Sequence, residues 1–155
     1  MANRYGTNAD LLLVDVPAGK AGIGEIGGRV RMIYDEFSYT ALLANADVIY
    51  MGGLIPKGAR VIEAVIMFTD AGTTGACNVG WLASDDGVEV ADPDGFMASV
   101  NMNTAADTIK ATDNLANAPG VFKKFTAPVQ PVVTMTAAGD AATGSVKLAI
   151  TYVID

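Results

Sequence analysis

The sequence predicts an all-β protein, an antiparallel sandwich of about eight short strands. Three observations favour this fold class. Apolar residues mostly alternate with polar ones or form short runs, and turns rich in glycine and aspartate separate those runs. The chain has 155 residues, which is the size of one domain. Because 51% of them are hydrophobic, a chain of this length can bury a large core without a disulfide or a metal.

Residues 1–28 differ from the rest of the chain and are predicted to form an extended N-terminal arm. A polar start is followed by an apolar run, Leu11–Val16, and then by a segment dominated by glycine and alanine. Glycine loses more backbone entropy on ordering than any other residue, so this segment is expected to become ordered only when something outside it holds it. We therefore divide the chain into an arm, 1–28, and a β-sandwich domain, 29–155.

The strongest predicted strand is Arg60–Thr69, which follows a turn at Leu54–Ala59. It carries apolar residues on both faces: Val61, Val65 and Met67 on one, and Ile62, Ala64, Ile66 and Phe68 on the other. Such a strand is either buried on both sides or has an outer face that meets a partner. The other strands predicted in this half are Arg29–Phe37, Asp47–Met51, Ala76–Ser84 and Phe96–Met102.

The second half contains three predicted strands and one candidate helix. The strands are Val121–Ala127, Val129–Ala137 and Ser145–Ile154. The last alternates most cleanly, and its predicted core residues are Val146, Leu148, Ile150, Tyr152 and Ile154. Asn103–Leu115 is the candidate helix, because Ala105, Ile109 and Thr112 recur at helical spacing, with a loop as the alternative. Short strands joined by glycine-rich turns indicate a jelly-roll-like sandwich.

The residue inventory argues against an enzyme. The chain has no histidine, which is the usual activator of a serine or cysteine nucleophile, and it has a single cysteine. Cys77 falls on the predicted inner face of its strand beside Trp81, where a thiol acts as a small apolar side chain. Aromatic residues make up 7% of the chain, which is few for a sugar-binding platform. We predict no catalytic residues, no cofactor and no metal.

Composition also narrows the partners. The net charge is −7, and the basic residues are scattered, with Arg29 and Arg31, and Lys123 and Lys124, as the densest pairs. Both pairs are interpreted as solvated strand positions, so we expect no nucleic-acid partner. No apolar stretch approaches the length of a membrane span, and we expect no membrane partner. Charged residues make up 17% of the chain, against about 25% in ordinary soluble domains, which favours contact with other protein.

Two motifs have plainer explanations. Residues Gly22–Gly27 match the dinucleotide pattern G-x-G-x-x-G, but the pattern has meaning only between a strand and a helix, and a strand is predicted after it. Five carboxylates crowd one segment: Asp85, Asp86, Glu89, Asp92 and Asp94. Closely spaced carboxylates suit calcium, yet the spacing is not that of an EF-hand. We interpret this segment as a solvated loop and leave a calcium site as the alternative.

Four segments of the chain carry a resemblance to a known family: Val48–Gly52, Leu54–Phe68 with its Ile-Pro-Lys-Gly-Ala turn, Asn78–Trp81 and Asp94–Phe96. They resemble small structural proteins of tailed-bacteriophage virions, and most of all the head decoration (cement) proteins with a jelly-roll-like sandwich. The polar start Asn3-Arg4-Tyr5 and the glycine-rich arm are also similar. The resemblance spans about two thirds of the chain, and Ile-Pro-x-Gly-Ala before a strand also occurs in other phage structural proteins.

The resemblance implies a non-enzymatic protein that is made in the host cytoplasm and sits on the outside of the capsid, in the virion. Its implied partners are the major capsid protein and further copies of itself, as a homotrimer. The arm is expected to supply contacts through Arg4, Tyr5, Leu11, Leu12 and Leu13. Two alternatives stay open: a tail, neck or head-fibre component of the virion, and a jelly-roll module that binds carbohydrate or calcium.

Overall fold

A computed structural model describes residues 29–103 and 106–154. Eight strands form the domain, with one short 3₁₀-helix after the sixth. The strands are β1 (Val30–Tyr39), β2 (Val48–Tyr50), β3 (Ala59–Phe68), β4 (Ala76–Trp81), β5 (Asp92–Asn101), β6 (Asp107–Lys110), β7 (Pro131–Ala137) and β8 (Gly144–Ile154), and the 3₁₀-helix spans Ala111–Asn117. No helix in these ranges is long and apolar enough to cross a membrane.

The strands form two four-stranded antiparallel sheets, ordered β1-β8-β3-β6 and β2-β7-β4-β5. The first strand pairs with the eighth, the second with the seventh, the third with the sixth and the fourth with the fifth. The chain is therefore one long antiparallel hairpin whose two halves wrap around a common core. This is the topology of a jelly roll, and it confirms the predicted fold class.

The core lies between the sheets and is filled by alternate residues of each strand. On β8, Val146, Leu148, Ile150 and Tyr152 are buried as predicted, and Ile154 is half-buried. Three aromatic rings meet near one end of the sandwich: Trp81 lies 5.1 Å from Phe96 and 5.0 Å from Phe125 between ring centroids, the second contact edge-on. Rings in such tilted pairs attract each other beyond the area they bury. Trp81 is therefore a core residue.

The predicted helix at Asn103–Leu115 is wrong. Its middle is strand β6, which pairs with β3 from Asp107 opposite Phe68 to Lys110 opposite Val65. The 3₁₀-helix follows, and a kink at Asn114 interrupts it. The Thr112 N–H donates to the Glu63 carboxylate at 3.1 Å, which ties the 3₁₀-helix to β3. Pairing with β3 thus outweighs the helical spacing of a short segment.

The predicted strand at Val121–Ala127 is also wrong, although the total of eight strands is right. Phe122 has a positive φ of 63°, which extended strands do not adopt. The segment instead forms hydrogen bonds with the first part of β3, on the side where β6 does not reach. The Phe122 N–H donates to the Val61 oxygen (2.7 Å), and the Phe125 N–H donates to the Ala59 oxygen (2.8 Å). It is an irregular connection that forms strand-like hydrogen bonds. The eight strands of the structure include β6 in place of this predicted strand.

A bulge in β3 changes which residues share a face. The register against β8 shifts between Val61 and Glu63. As a result Val61 is buried together with Ala64, Ile66 and Phe68, rather than lying with Val65 and Met67 as predicted. Strict alternation assigns faces correctly only while a strand has no extra residue. The outer residues Val65 and Met67 are half-buried, and no residue of β3 is exposed.

Candidate interaction surfaces

Strand β1 carries an apolar stripe on its outer face. Val30, Met32 and Tyr34 are 60%, 64% and 50% exposed, respectively. They lie two residues apart and therefore point to the same side of the sheet. Across the ladder they face Val153, Thr151 and Ala149 of β8, which are small or medium-sized. Three neighbouring apolar side chains on one exposed strand are typical of an interface with another chain.

A shallow groove of about 340 Å³ lies between β1 and β2. Phe37, Leu43, Val48 and Tyr50 line it, together with Asp47 and Ile49. Phe37, Val48 and Tyr50 are exposed, whereas Leu43 and Ile49 are buried at its floor. The groove thus gathers the exposed residues Phe37, Val48 and Tyr50, whereas the stripe lies on the outer face of β1.

The two ends of the sandwich differ in chemistry. At one end the connections after β2, β4 and β6 expose Leu54, Val88, Val90 and Phe122. At the other end, the connections expose Leu42 and are held by carboxylates. Asp140 accepts hydrogen bonds from the Thr73 N–H and hydroxyl, both at 2.6 Å. The apolar end and the stripe on β1 are consequently the parts of the described surface best suited to bind protein.

A buried ion pair holds the apolar end together. Glu89 in the β4–β5 connection is 4% exposed, and its Oε2 lies 2.7 Å from Lys123 Nζ. Its Oε1 accepts hydrogen bonds from the N–H and the hydroxyl of Thr126, both at 2.7 Å. Lys123 Nζ also lies 5.1 Å above the ring of Trp81 and 5.2 Å from that of Phe125. The charge pair therefore joins two connections across the aromatic cluster.

These contacts set the ionisation of Glu89. Burial alone would raise its pKa, but the hydrogen bonds from Lys123 and Thr126 and the charge of Lys123 together lower the pKa below its usual value. The carboxylate is thus charged in the folded protein and is stabilised by its partners. The interpretation of Lys123 as a solvated strand residue is wrong, because its ammonium is engaged with Glu89.

The other carboxylates of the acidic segment act locally. Asp86 accepts hydrogen bonds from the Ser84 hydroxyl (2.6 Å) and the Val88 N–H (3.1 Å), which lower its pKa. Asp92 and Asp94 belong to β5 rather than to a loop. Burial, and then the neighbouring carboxyl group of Asp94, raise the pKa of Asp92. Within residues 29–103 and 106–154, no group of three or more candidate ligands is arranged to hold a metal ion.

The predicted contact residues Arg4, Tyr5, Leu11, Leu12 and Leu13 lie outside the described residues, as does the Gly22–Gly27 motif. Cys77 lies on β4 and is fully buried, as predicted, and burial raises the pKa of its thiol to about 12. Sequence reasoning missed Glu89 and Lys123 as a pair. The available signal was a pair of lysines, Lys123 and Lys124, between two phenylalanines, Phe122 and Phe125.

Comparison with solved structures finds a similar fold in chains of two phage capsid structures. No protein-family model and no curated protein matches the sequence. Among solved structures, a chain of the "Cyanophage Pam1 capsid asymmetric unit" matches with a TM-score of 0.63 at 18% identity, covering 93% of this chain and 96% of that one. A chain of the "Capsid of Ralstonia phage GP4" matches with a TM-score of 0.64 at 21% identity, covering 83% and 86%. At these identities the likeness establishes a shared fold.

Proposed function

We propose that this protein is a non-enzymatic structural component of a phage virion, and that it decorates the outside of the head. There it would hold neighbouring major capsid subunits together. The observation that carries the proposal is the match to chains of two phage capsid structures, which covers 93% and 83% of this chain. Because nearly equal shares of both partners are covered in each match, those chains are of nearly the same length as this one.

The surface chemistry supports the same role. A decoration protein repeats many times on one shell, so each copy needs only a modest contact to remain attached. Exposed apolar residues at one end of the sandwich, Leu54, Val88, Val90 and Phe122, offer such a contact. Interfaces between proteins are depleted of charge at their centres, which agrees with a chain of 17% charged residues.

The arm is proposed as the second contact. Residues 1–28 would reach a capsid subunit or a neighbouring copy, with Arg4, Tyr5, Leu11, Leu12 and Leu13 as anchors. A segment that becomes ordered on binding pays its conformational entropy at that moment, so it adds specificity more than affinity. The resemblance further implies that the copies sit as trimers around threefold positions of the shell. Deleting residues 2–28 is expected to weaken attachment and to leave the unfolding midpoint of the sandwich unchanged.

The deciding experiment is cryo-electron microscopy of purified particles, with and without the protein. The proposal expects density of this fold at regular positions above the junctions of capsid subunits, and lower heat resistance of particles that lack it. Adding back the purified protein should restore that resistance, and bovine serum albumin at the same concentration should not. Density confined to one vertex would instead assign the protein to the tail, neck or a head fibre. Absence from the particles would exclude a virion role.

A further inference from the structure

We infer that β1 is a self-association edge, through which two copies of the chain pair their β1 strands antiparallel about a twofold axis at Ile33. This contact would join the two first sheets into one continuous eight-stranded sheet. The inference concerns the isolated protein and does not depend on the proposed role in the capsid.

The free edge of β1 is long. The strand has ten residues and pairs along its whole length with β8 on one side. In the described part of the chain, no backbone hydrogen bond joins its other side to another segment. Such an edge presents a row of N–H and C=O groups that pair readily with a further strand. A second copy offers the same row in a complementary arrangement.

The exposed apolar stripe on β1 favours pairing of this edge with another strand. Natural edge strands are usually short, charged or covered, because a long apolar edge promotes uncontrolled association. Here Val30, Met32 and Tyr34 are all at least half exposed. Antiparallel pairing through a twofold axis places the stripes of both copies on the same side of the joint sheet. Met32 and Tyr34 of each copy then become cross-strand neighbours, which stabilises the contact.

The charges along β1 favour one register. Arg31 lies two residues before Ile33 and Asp35 lies two residues after it, so an axis at Ile33 sets Arg31 of each copy opposite Asp35 of the other. Opposite charges in directly facing positions stabilise a strand pair. Moving the axis by one residue in either direction would instead set Arg31 opposite Phe37 or opposite Ile33. The twofold arrangement at Ile33 therefore matches both the charged and the apolar positions.

The connection after β2 holds the middle of β1 in place. Asp35 is held in place because its Oδ2 accepts a hydrogen bond from the Gly52 N–H at 2.7 Å. A carboxylate has about four acceptor sites, so it can still receive the partner's guanidinium. Gly52 itself has a φ of +62°, and a side chain there would collide with Ile33. The absence of a side chain at Gly52 lets this connection pack closely on Ile33 and so fixes β1 at the proposed axis.

A twofold contact closes on itself after two copies, so it gives a dimer and no filament. If the copies also form trimers on the shell, the same contact would link two neighbouring trimers. The contact is thus compatible with the proposed assembly and is distinguished from it by symmetry.

Cysteine cross-linking tests both the contact and its register. The variants M32C and Y34C are prepared separately, mixed in equal amounts at micromolar concentration and oxidised. Facing residues of an antiparallel pair lie about 4.5–5.5 Å apart between Cα atoms, which is within the range of a disulfide. The native Cys77 is buried and contributes no background. Disulfide-linked dimers are expected in the mixture at several times the yield of either variant alone.

A mixture of N114C and A116C serves as the control, since these exposed positions lie on the 3₁₀-helix that follows β6, at the edge of the first sheet opposite β1. Yields in the M32C and Y34C mixture that equal those of the control, or those of each variant alone, would overturn the inference. Sedimentation provides a second readout. R31E should raise the dissociation constant of the dimer at least tenfold, whereas K57E, with the same charge change on a loop, should not. Equal effects of these two variants would overturn the proposed register.

Discussion

Replacing Lys123 with methionine removes the ammonium group that contacts the buried carboxylate of Glu89. Methionine retains an apolar stem that can still pack on Trp81 and Phe125. Glu89 would keep its two hydrogen bonds from Thr126 but would lose the contact at 2.7 Å, while remaining 4% exposed. The variant therefore isolates the cost of leaving a charge buried without its counter-ion.

The magnitude follows from the burial of the two partners. Breaking a buried ion pair by removing one partner costs about 3–5 kcal/mol. The side chain of Lys123 is 34% exposed, so the pair is partly solvated and the lower end applies, about 3 kcal/mol. For Glu89→Gln we expect about 1.5 kcal/mol, since the loss is a hydrogen bond to a charged group and Lys123 can turn to water. The double variant removes both charges. Its loss of unfolding free energy should be about 2 kcal/mol smaller than the sum of the losses in the two single variants.

Urea unfolding at neutral pH measures these free energies, with the slope of the transition as the check that the unfolded states are comparable. Lys147→Met is the matched control. Lys147 lies 3.4 Å from Glu36, both side chains are more than a third exposed, and such surface pairs contribute about 0.5 kcal/mol or less. If Lys123→Met were no more destabilising than Lys147→Met, or if the double variant showed additive losses, the ion pair would not hold the apolar end together.

Three further outcomes are expected. Because the pKa of Glu89 is lowered by folding, its contribution to the free energy of unfolding is present above the ordinary glutamate value of 4.5 and is lost as the pH falls through the folded pKa. Lowering the pH should therefore reduce the free energy of unfolding of Glu89→Gln less than that of the wild type. Gly80→Ala should destabilise the protein by more than about 2 kcal/mol, because its Cβ would collide with the Asp92 carbonyl, whereas Gly53→Ala, with open space around it, should be neutral in thermal unfolding. The Cys77 thiol, with a pKa of about 12, should react with a thiol reagent only after unfolding; labelling at the same rate in the folded protein would contradict its burial.

The sequence was sufficient for the fold class because the strands with the clearest alternation, β4, β7 and β8, are also those that fill the core. It failed where tertiary contacts override local pattern. A four-residue strand such as β6 is too short to show a period, and its pairing with β3 decides its conformation. In the same way, one extra residue in β3 moves Val61 to the inner face, and no composition signal announces that bulge.

The surfaces were harder to predict than the fold, and for a physical reason. Exposure depends on which strand lies at the edge of a sheet, and strand order is a property of the whole chain. Apolar alternation in β1 looks the same whether Val30, Met32 and Tyr34 face the core or water. Only the order β1-β8-β3-β6 shows that this strand has one neighbour and that its apolar residues point outward. Once that order is known, the positions of Arg31 and Asp35, two residues to either side of Ile33, indicate that they could face each other across a β1–β1 pair. The sequence alone does not indicate this. A central strand with the same charge spacing is already paired on both sides, so it could not bind a second copy of the chain.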